Sequence, residues 1–292
     1  MSLWESIAVD IAARTGVQAG LEQHGTVGGG CINQAQRIRY GDTGYFVKLN
    51  SADQIDMFAA EAEGLGELRR CRSLRIPAPV CWGTDGSSAY LVMEDLALGG
   101  RGDPAALGEG LADLHRITRE RYGWHRDNTI GSTPQVNTPC DEWVDFYREH
   151  RLAFQLDLAA RHGCPARLVS QGERLMADFH ALFADYTPEA SLLHGDLWSG
   201  NHAYTSSGEP AIFDPAVYYG DRETDLAMTE LFGGFGRDFY AAYNATWPID
   251  PGYPVRKTLY NLYHVLNHFN LFGGGYVSQA QGMVDALLGE LK

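Results

Sequence analysis

Leu192-Leu193-His194-Gly195-Asp196-Leu197-Trp198-Ser199-Gly200-Asn201, followed by Ala211-Ile212-Phe213-Asp214-Pro215, is the stretch on which the fold turns. Apolar residues lead the chain into a loop that holds an acid, Asp196, and five positions later an amide, Asn201. A short hairpin then brings back a second acid, Asp214, at the end of a β segment. Taken singly, Asp196 and Asn201 would pass as turn formers and Asp214 as a cap. As a set they match what phosphoryl transfer needs: a carboxylate to orient a hydroxyl and accept its proton, and oxygen ligands for Mg2+. Mg2+ keeps its waters and binds phosphate oxygens, so one Asp and one Asn suffice from the protein.

The pattern H-G-D-L-W-S-G-N followed by F-D-P resembles the catalytic and metal loops of the protein-kinase-like small-molecule kinases. With Trp198 it is similar to the fructosamine (ketosamine) kinases in particular. The resemblance implies Asp196 as catalytic base and Asn201 and Asp214 as metal ligands. Asp214 takes the place of the Asp that opens D-F-G in protein kinases, and Pro215 follows it as in the fructosamine kinases. Residues 28–33, 124–135, 218–235 and 259–272 add to the likeness, which runs from about residue 25 to the C-terminus. In that family the counterpart of Asp225 braces the catalytic loop; capping of a helix is the plain alternative for Asp225.

A kinase of this kind also needs a loop near the phosphates, a lysine on them and a carboxylate to hold the lysine. Gly28-Gly29-Gly30-Cys31 supplies a backbone free to approach phosphate. No Gly-Lys-Ser/Thr follows it, so it is not a Walker A loop. Lys48 falls mid-strand among apolar neighbours, where an ammonium needs a partner. On the helix predicted over 52–70, Glu61 falls inside the apolar arc and Glu63 points away, so Glu61 is the expected partner. By resemblance Met93, Glu94, Asp95 and Leu96 form the hinge that would hold adenine. ATP and Mg2+ are the implied cofactors.

Around these residues the chain divides into two styles. A helix over 3–14 is followed by strands over 22–27, 32–40 and 45–50, then the helix 52–70, then strands over 80–83 and 89–96. Gly41-Asp42-Thr43-Gly44 and Thr84-Asp85-Gly86-Ser87 read as turns. Beyond a glycine-rich linker at 99–102, helical periods run over 104–121, 140–163, 166–185, 222–232, 236–246, 252–271 and 277–291, broken only by a β patch at 202–214. The expected fold is α+β and protein-kinase-like, with a nucleotide-binding lobe over 1–95 and a catalytic, substrate-binding lobe over 96–292.

Composition narrows the partners. The 292 residues carry a formal charge of -14, which argues against a nucleic-acid or polybasic membrane surface. Five scattered cysteines suggest neither a disulfide framework nor a zinc site, and no leader-like or membrane-spanning run is seen, so a cytoplasmic setting is expected. The resemblance implies transfer of the ATP γ-phosphoryl group to the 3-hydroxyl of a ribulosamine or fructosamine, a deglycation reaction. Aminoglycoside, choline or homoserine-type kinases share the scaffold, and an inactive kinase-like binding module is the rival from another class. Trp198, Asp127 and His264 are the candidate acceptor contacts, with Asn128, Gln135, Asn267 and His268 beside them.

The expected state is a monomer or a redox-linked homodimer through Cys31, since loop amides would lower the pKa of a thiol there. Peroxide should then inhibit activity reversibly, and Cys31→Ser should abolish that sensitivity. Equal sensitivity in the variant and its parent would exclude Cys31 as the switch.

Overall fold

The computed structural model describes residues 2–27 and 32–292. Gly28, Gly29, Gly30 and Cys31, the expected phosphate loop and thiol, lie outside the described residues.

The chain opens with helix α1 (Leu3–Thr15), which Ser2 and Glu5 close off in a reciprocal capping box. Five antiparallel strands follow: β1 (Leu21–Val27), β2 (Gln34–Tyr40), β3 (Thr43–Ser51), β4 (Pro79–Asp85) and β5 (Ser88–Glu94), ordered β1-β2-β3-β5-β4. Both tight hairpins are two-residue loops with glycine first. Gly41 lies at φ 59 between paired Tyr40 and Thr43, and Gly86 at φ 58 between paired Asp85 and Ser88. Helix α2 (Ile55–Leu68) crosses between β3 and β4.

Alternation along the strands assigns each side chain to a face. Tyr45, Val47 and Leu49 of β3 and Tyr90 and Val92 of β5 pack with Ile7 and Ile11 of α1 in a small outer core. Ala89, Leu91 and Met93 point the other way, into the large core that holds Phe58, Ala62 and Leu65 of α2. Lys48 is out of phase with Val47 and Leu49, so it faces the inner side.

The second half is mainly helical: α3 (Pro104–His115), α4 (Trp143–Tyr147), α5 (Phe154–Arg161), α6 (Ala166–Asp178), α7 (Glu223–Leu231), α8 (Arg237–Thr246), α9 (Tyr253–Phe272) and α10 (Tyr276–Glu290). α9 is its spine, with Leu259, Leu262, Val265 and Leu266 fully buried. Among the described residues no helix is long and apolar enough to cross a membrane.

Three helical expectations need correction. The one over 104–121 ends at His115, and β6 (Thr118–Arg119) then pairs with β9 (Ala190–Leu193). The one over 140–163 starts at Trp143 and widens to a π turn over Arg148–Ala153, where the buried Arg151 donates to Val136 O at 2.6 Å. The one over 166–185 tightens into a 3-10 turn at Phe179–Phe183. This half also carries more β structure than the single expected patch. β12 (Tyr218–Gly220), β9 and β6 form one sheet, β7 (Asn128–Ile130) and β8 (Thr133–Gln135) a hairpin, and β10 (His202–Tyr204) and β11 (Pro210–Ile212) another. Strands of two to four residues are too short to show alternation in a sequence.

Two of these strands place the site. β9, buried along its whole length, ends at Leu193 and hands the chain to His194. β11 ends at Ile212 and hands it to Asp214. The halves are joined beside β11: Arg75 N donates to Pro210 O at 2.8 Å and Ile212 N donates to Arg75 O at 3.0 Å.

Candidate active site

A cleft of about 840 Å3 separates the sheet from the helical half. Lys48, Glu61, Met93, Glu94, Asp95 and Leu96 line it from the first half, and Asp196, Trp198, Asn201 and Asp214 from the second.

Lys48 is 6% exposed. Its Nζ lies 2.5 Å from Glu61 Oε1 and 2.7 Å from Asp214 Oδ1. Burial would lower its pKa, but the charges of Asp214 and Glu61 outweigh that and raise it, so the ammonium stays charged. Glu63, as its phase on the helix predicts, faces away and pairs with His125 at 2.8 Å and Arg126 at 2.6 Å.

The loop after β9 is held by one buried carboxylate. Asp225, in the first turn of α7, accepts the N–H of His194 at 2.7 Å and of Gly195 at 2.8 Å. It also accepts from His115 Nε2 at 3.2 Å, while His115 Nδ1 faces the Tyr243 hydroxyl at 2.8 Å. Burial alone would raise the Asp225 pKa, and the donors around it, His115 foremost, keep it below the usual range. Gly195 sits at φ 82, where a Cβ would stand 2.0 Å from Ala216 O, so glycine is required at this turn. His194 donates from Nε2 to Phe213 O at 2.9 Å and accepts the Asp196 N–H on Nδ1 at 3.3 Å. One neutral imidazole thus ties the two acid-bearing loops together.

Asn201 Nδ2 donates to Asp196 O at 2.8 Å and reaches Asp196 Oδ2 at 3.3 Å and Asp214 O at 3.4 Å. Its amide hydrogens are committed there, which leaves Oδ1 as an acceptor. Asp214 is the one non-glycine residue at positive φ, 58, among the described residues. Asp tolerates that left-handed geometry better than most side chains, and it turns a half-exposed carboxylate into the cleft. Burial pushes Asp196 up to about 7, helped by the charges of Asp214 and Asp225 and opposed by the Asn201 hydrogen bond.

The two acids of the expected hinge are held in ion pairs. Glu94 pairs with Arg75, and Asp95 accepts from Arg37 Nε at 3.2 Å. On the opposite wall Trp198, 37% exposed, meets Phe232 edge-on at 6.3 Å, and Phe232 lies 4.9 Å from His268. Phe272 and Tyr276 extend this aromatic wall. Two acceptor candidates are not brought to the cleft. Asp127 is tied up accepting the Asn137 N–H at 2.8 Å, and His264 is buried in the helical core, one turn before the cleft-lining His268. Gln135 is buried too, donating to Ala216 O at 3.0 Å. Sequence reasoning missed Phe232, Phe272 and Tyr276, which stand at helix ends, where an apolar period reads simply as core.

A family model described as fructosamine kinase matches residues 3–290. A probable ketoamine kinase of Synechocystis sp. is 48% identical, over 98% of this chain and 97% of its own. The chloroplastic protein-ribulosamine 3-kinase of Arabidopsis thaliana is 45% identical over 92% of this chain and 83% of its own. The crystal structure of a protein described as a candidate fructosamine-3-kinase from Haemophilus somnus superposes with a TM-score of 0.90 at 29% identity, covering 98% of this chain and 97% of that one.

The raised pKa of Asp196 has a thermodynamic consequence. In the folded state it binds a proton up to about pH 7, in the unfolded state only up to about 3.8, so stability from this group is present at low pH and lost as pH rises through that window. Asp196→Asn should therefore melt above its parent at pH 8 in metal-free buffer, with the gap closing toward pH 4. Thermal melts at the two pH values check this, and a gap independent of pH would remove the assignment.

Proposed function

The chain belongs to the fructosamine kinase family and has its protein-kinase-like two-lobe fold, and from that premise we propose that it transfers the γ-phosphoryl group of ATP to the 3-hydroxyl of a ketosamine, free or lysine-linked, with ribulosamines ahead of fructosamines. The observation that carries the reading is the meeting of Lys48 and Glu61 with Asp196, Asn201 and Asp214 across one cleft. Residues 1–95 would act as the nucleotide-binding lobe and 96–292 as the catalytic and acceptor-binding lobe.

Each side chain takes a role its geometry supports. Lys48, kept charged between two carboxylates, is placed to hold phosphate oxygens. Asn201 Oδ1 and the Asp214 carboxylate form a hard-oxygen pair that fits Mg2+, which needs few protein ligands. When bound, the ion would neutralise charge on the transferring phosphoryl group. Asp196, with a pKa near the operating range, orients the acceptor hydroxyl and accepts its proton. The backbone of Met93, Glu94, Asp95 and Leu96 would face adenine, and Trp198 would wall the acceptor.

The decisive assay is ADP release on ribulosyl-lysine, fructosyl-lysine, an aminoglycoside and choline. Turnover confined to the two ketosamines is expected, and in Asp196→Ala it should fall on the order of 1,000-fold while nucleotide still binds. Preferred turnover of the aminoglycoside or choline would overturn the acceptor assignment. Nucleotide binding without ADP release on any acceptor would leave a binding module, and near-parental turnover of Asp196→Ala would take the base role from Asp196.

A further inference from the structure

Glu61, Gly64 and Glu67 follow one another at intervals of three along α2 and so share one side of the helix. Each of them meets the segment that begins at Asp214. Glu61 shares Lys48 with Asp214. Gly64 lies against Val217, so closely that a Cβ there would stand 3.0 Å from Val217 Cγ2. Glu67 Oε1 accepts from the Tyr219 hydroxyl at 2.6 Å, from Arg70 at 2.6 Å and from Arg119 at 3.1 Å. The Arg119 guanidinium also lies 4.5 Å from the centre of the Tyr219 ring.

Tyr219 is itself fixed. Its backbone N–H donates to Gly123 O and its carbonyl accepts from Gly123 N, both at 2.8 Å. The strap of chain over residues 119–135 grips both partners of Lys48. Arg119, His125 and Arg126 hold α2 through Glu67 and Glu63. Asn128 Nδ2 donates to Val217 O at 2.8 Å, and Gln135 Nε2 donates to Ala216 O, which pins the chain just after Asp214.

From this arrangement we infer that Glu67, latched by Tyr219 and Arg119, is a positioning residue for the Lys48 socket: it fixes the register of α2 against residues 214–219 and thereby the spacing of Glu61 from Asp214. The apolar face of α2 cannot do this alone, because hydrophobic burial is non-directional and tolerates sliding. Charge-assisted hydrogen bonds have defined lengths and angles and set a register. The lysine–glutamate pair of a kinase works only with its helix in place. Here contacts outside the cleft hold that helix. The inference rests on the reading of Lys48 and Glu61 given above.

A double-mutant cycle on the full chain separates positioning from plain structural support. Glu67→Ala should lower kcat/KM for ATP on the order of 10-fold, since a shift of about 1 Å at a reacting centre is costly. Circular dichroism of the variant should match the parent. In the Glu61→Gln background the same substitution should add less than twofold, because the group it positions has already been removed. Losses that multiply in the double variant, or a Glu67→Ala enzyme within twofold of its parent, would overturn the inference. Tyr219→Phe, which removes a single hydroxyl, carries the same comparison if Glu67→Ala does not fold. Parental turnover in Glu61→Gln alone would instead sink the reading of Glu61 and the inference with it, whereas multiplying losses sink the inference only.

Discussion

An ammonium held almost out of water between two carboxylates organises this protein. Lys48 comes from the sheet, Glu61 from α2 and Asp214 from the loop after β11, so three separately built elements must agree in position to within a hydrogen bond. Burying a lysine unpaired costs several kcal/mol, which makes the agreement compulsory for stability as well as for chemistry. Both faces of the sheet are covered. α1 packs the outer face, and the inner face is left to α2 and to side chains that alternation turns toward the cleft, Lys48 and Arg37 among them.

The second organising feature is the division of labour among the acids. Asp225 collects three donors and is driven to stay ionised, so its task is to shape the backbone at His194 and Gly195. Asp196 lies close by with little to satisfy it beyond Asn201, and its proton affinity rises. Asp214 keeps a half-exposed carboxylate open to the cleft. Three aspartates in one neighbourhood thus differ in character through burial, hydrogen bonds and neighbouring charges. The strap over residues 119–135 contributes as well. Asn128, Thr129, Ile130 and Gly131 line the cleft, while Arg119, His125 and Arg126 brace α2 from outside it.

How much could be read beforehand depended on how local each cause was. The loop over 192–201, the return at Asp214, the phase of Lys48 in its strand and of Glu61 on its helix are short-range patterns, and the structure brings those residues together. The alternation of β3 and β5 and the glycine-first turns were likewise legible, since pleat and turn geometry act over a few residues. The helix ends at His115 and Asp178 and the short strands β6, β7, β8 and β12 were not. β6 and β12 are fixed by pairing with β9, far away in sequence, and β7 and β8, though a local hairpin, are three residues each and too short to show alternation.

The sequence by itself determined the two-style architecture and the acids, amide and amine of the site, because periodicity and motif spacing are properties of the chain. Only the tertiary structure decided that Asp127 serves its own loop, that His264 is buried while His268 lines the cleft, and that Glu67 and Tyr219 join the two halves. A polar side chain finds its partner by proximity in space. For Glu67 and Tyr219 that partner stands 152 residues away, beyond the reach of any local pattern.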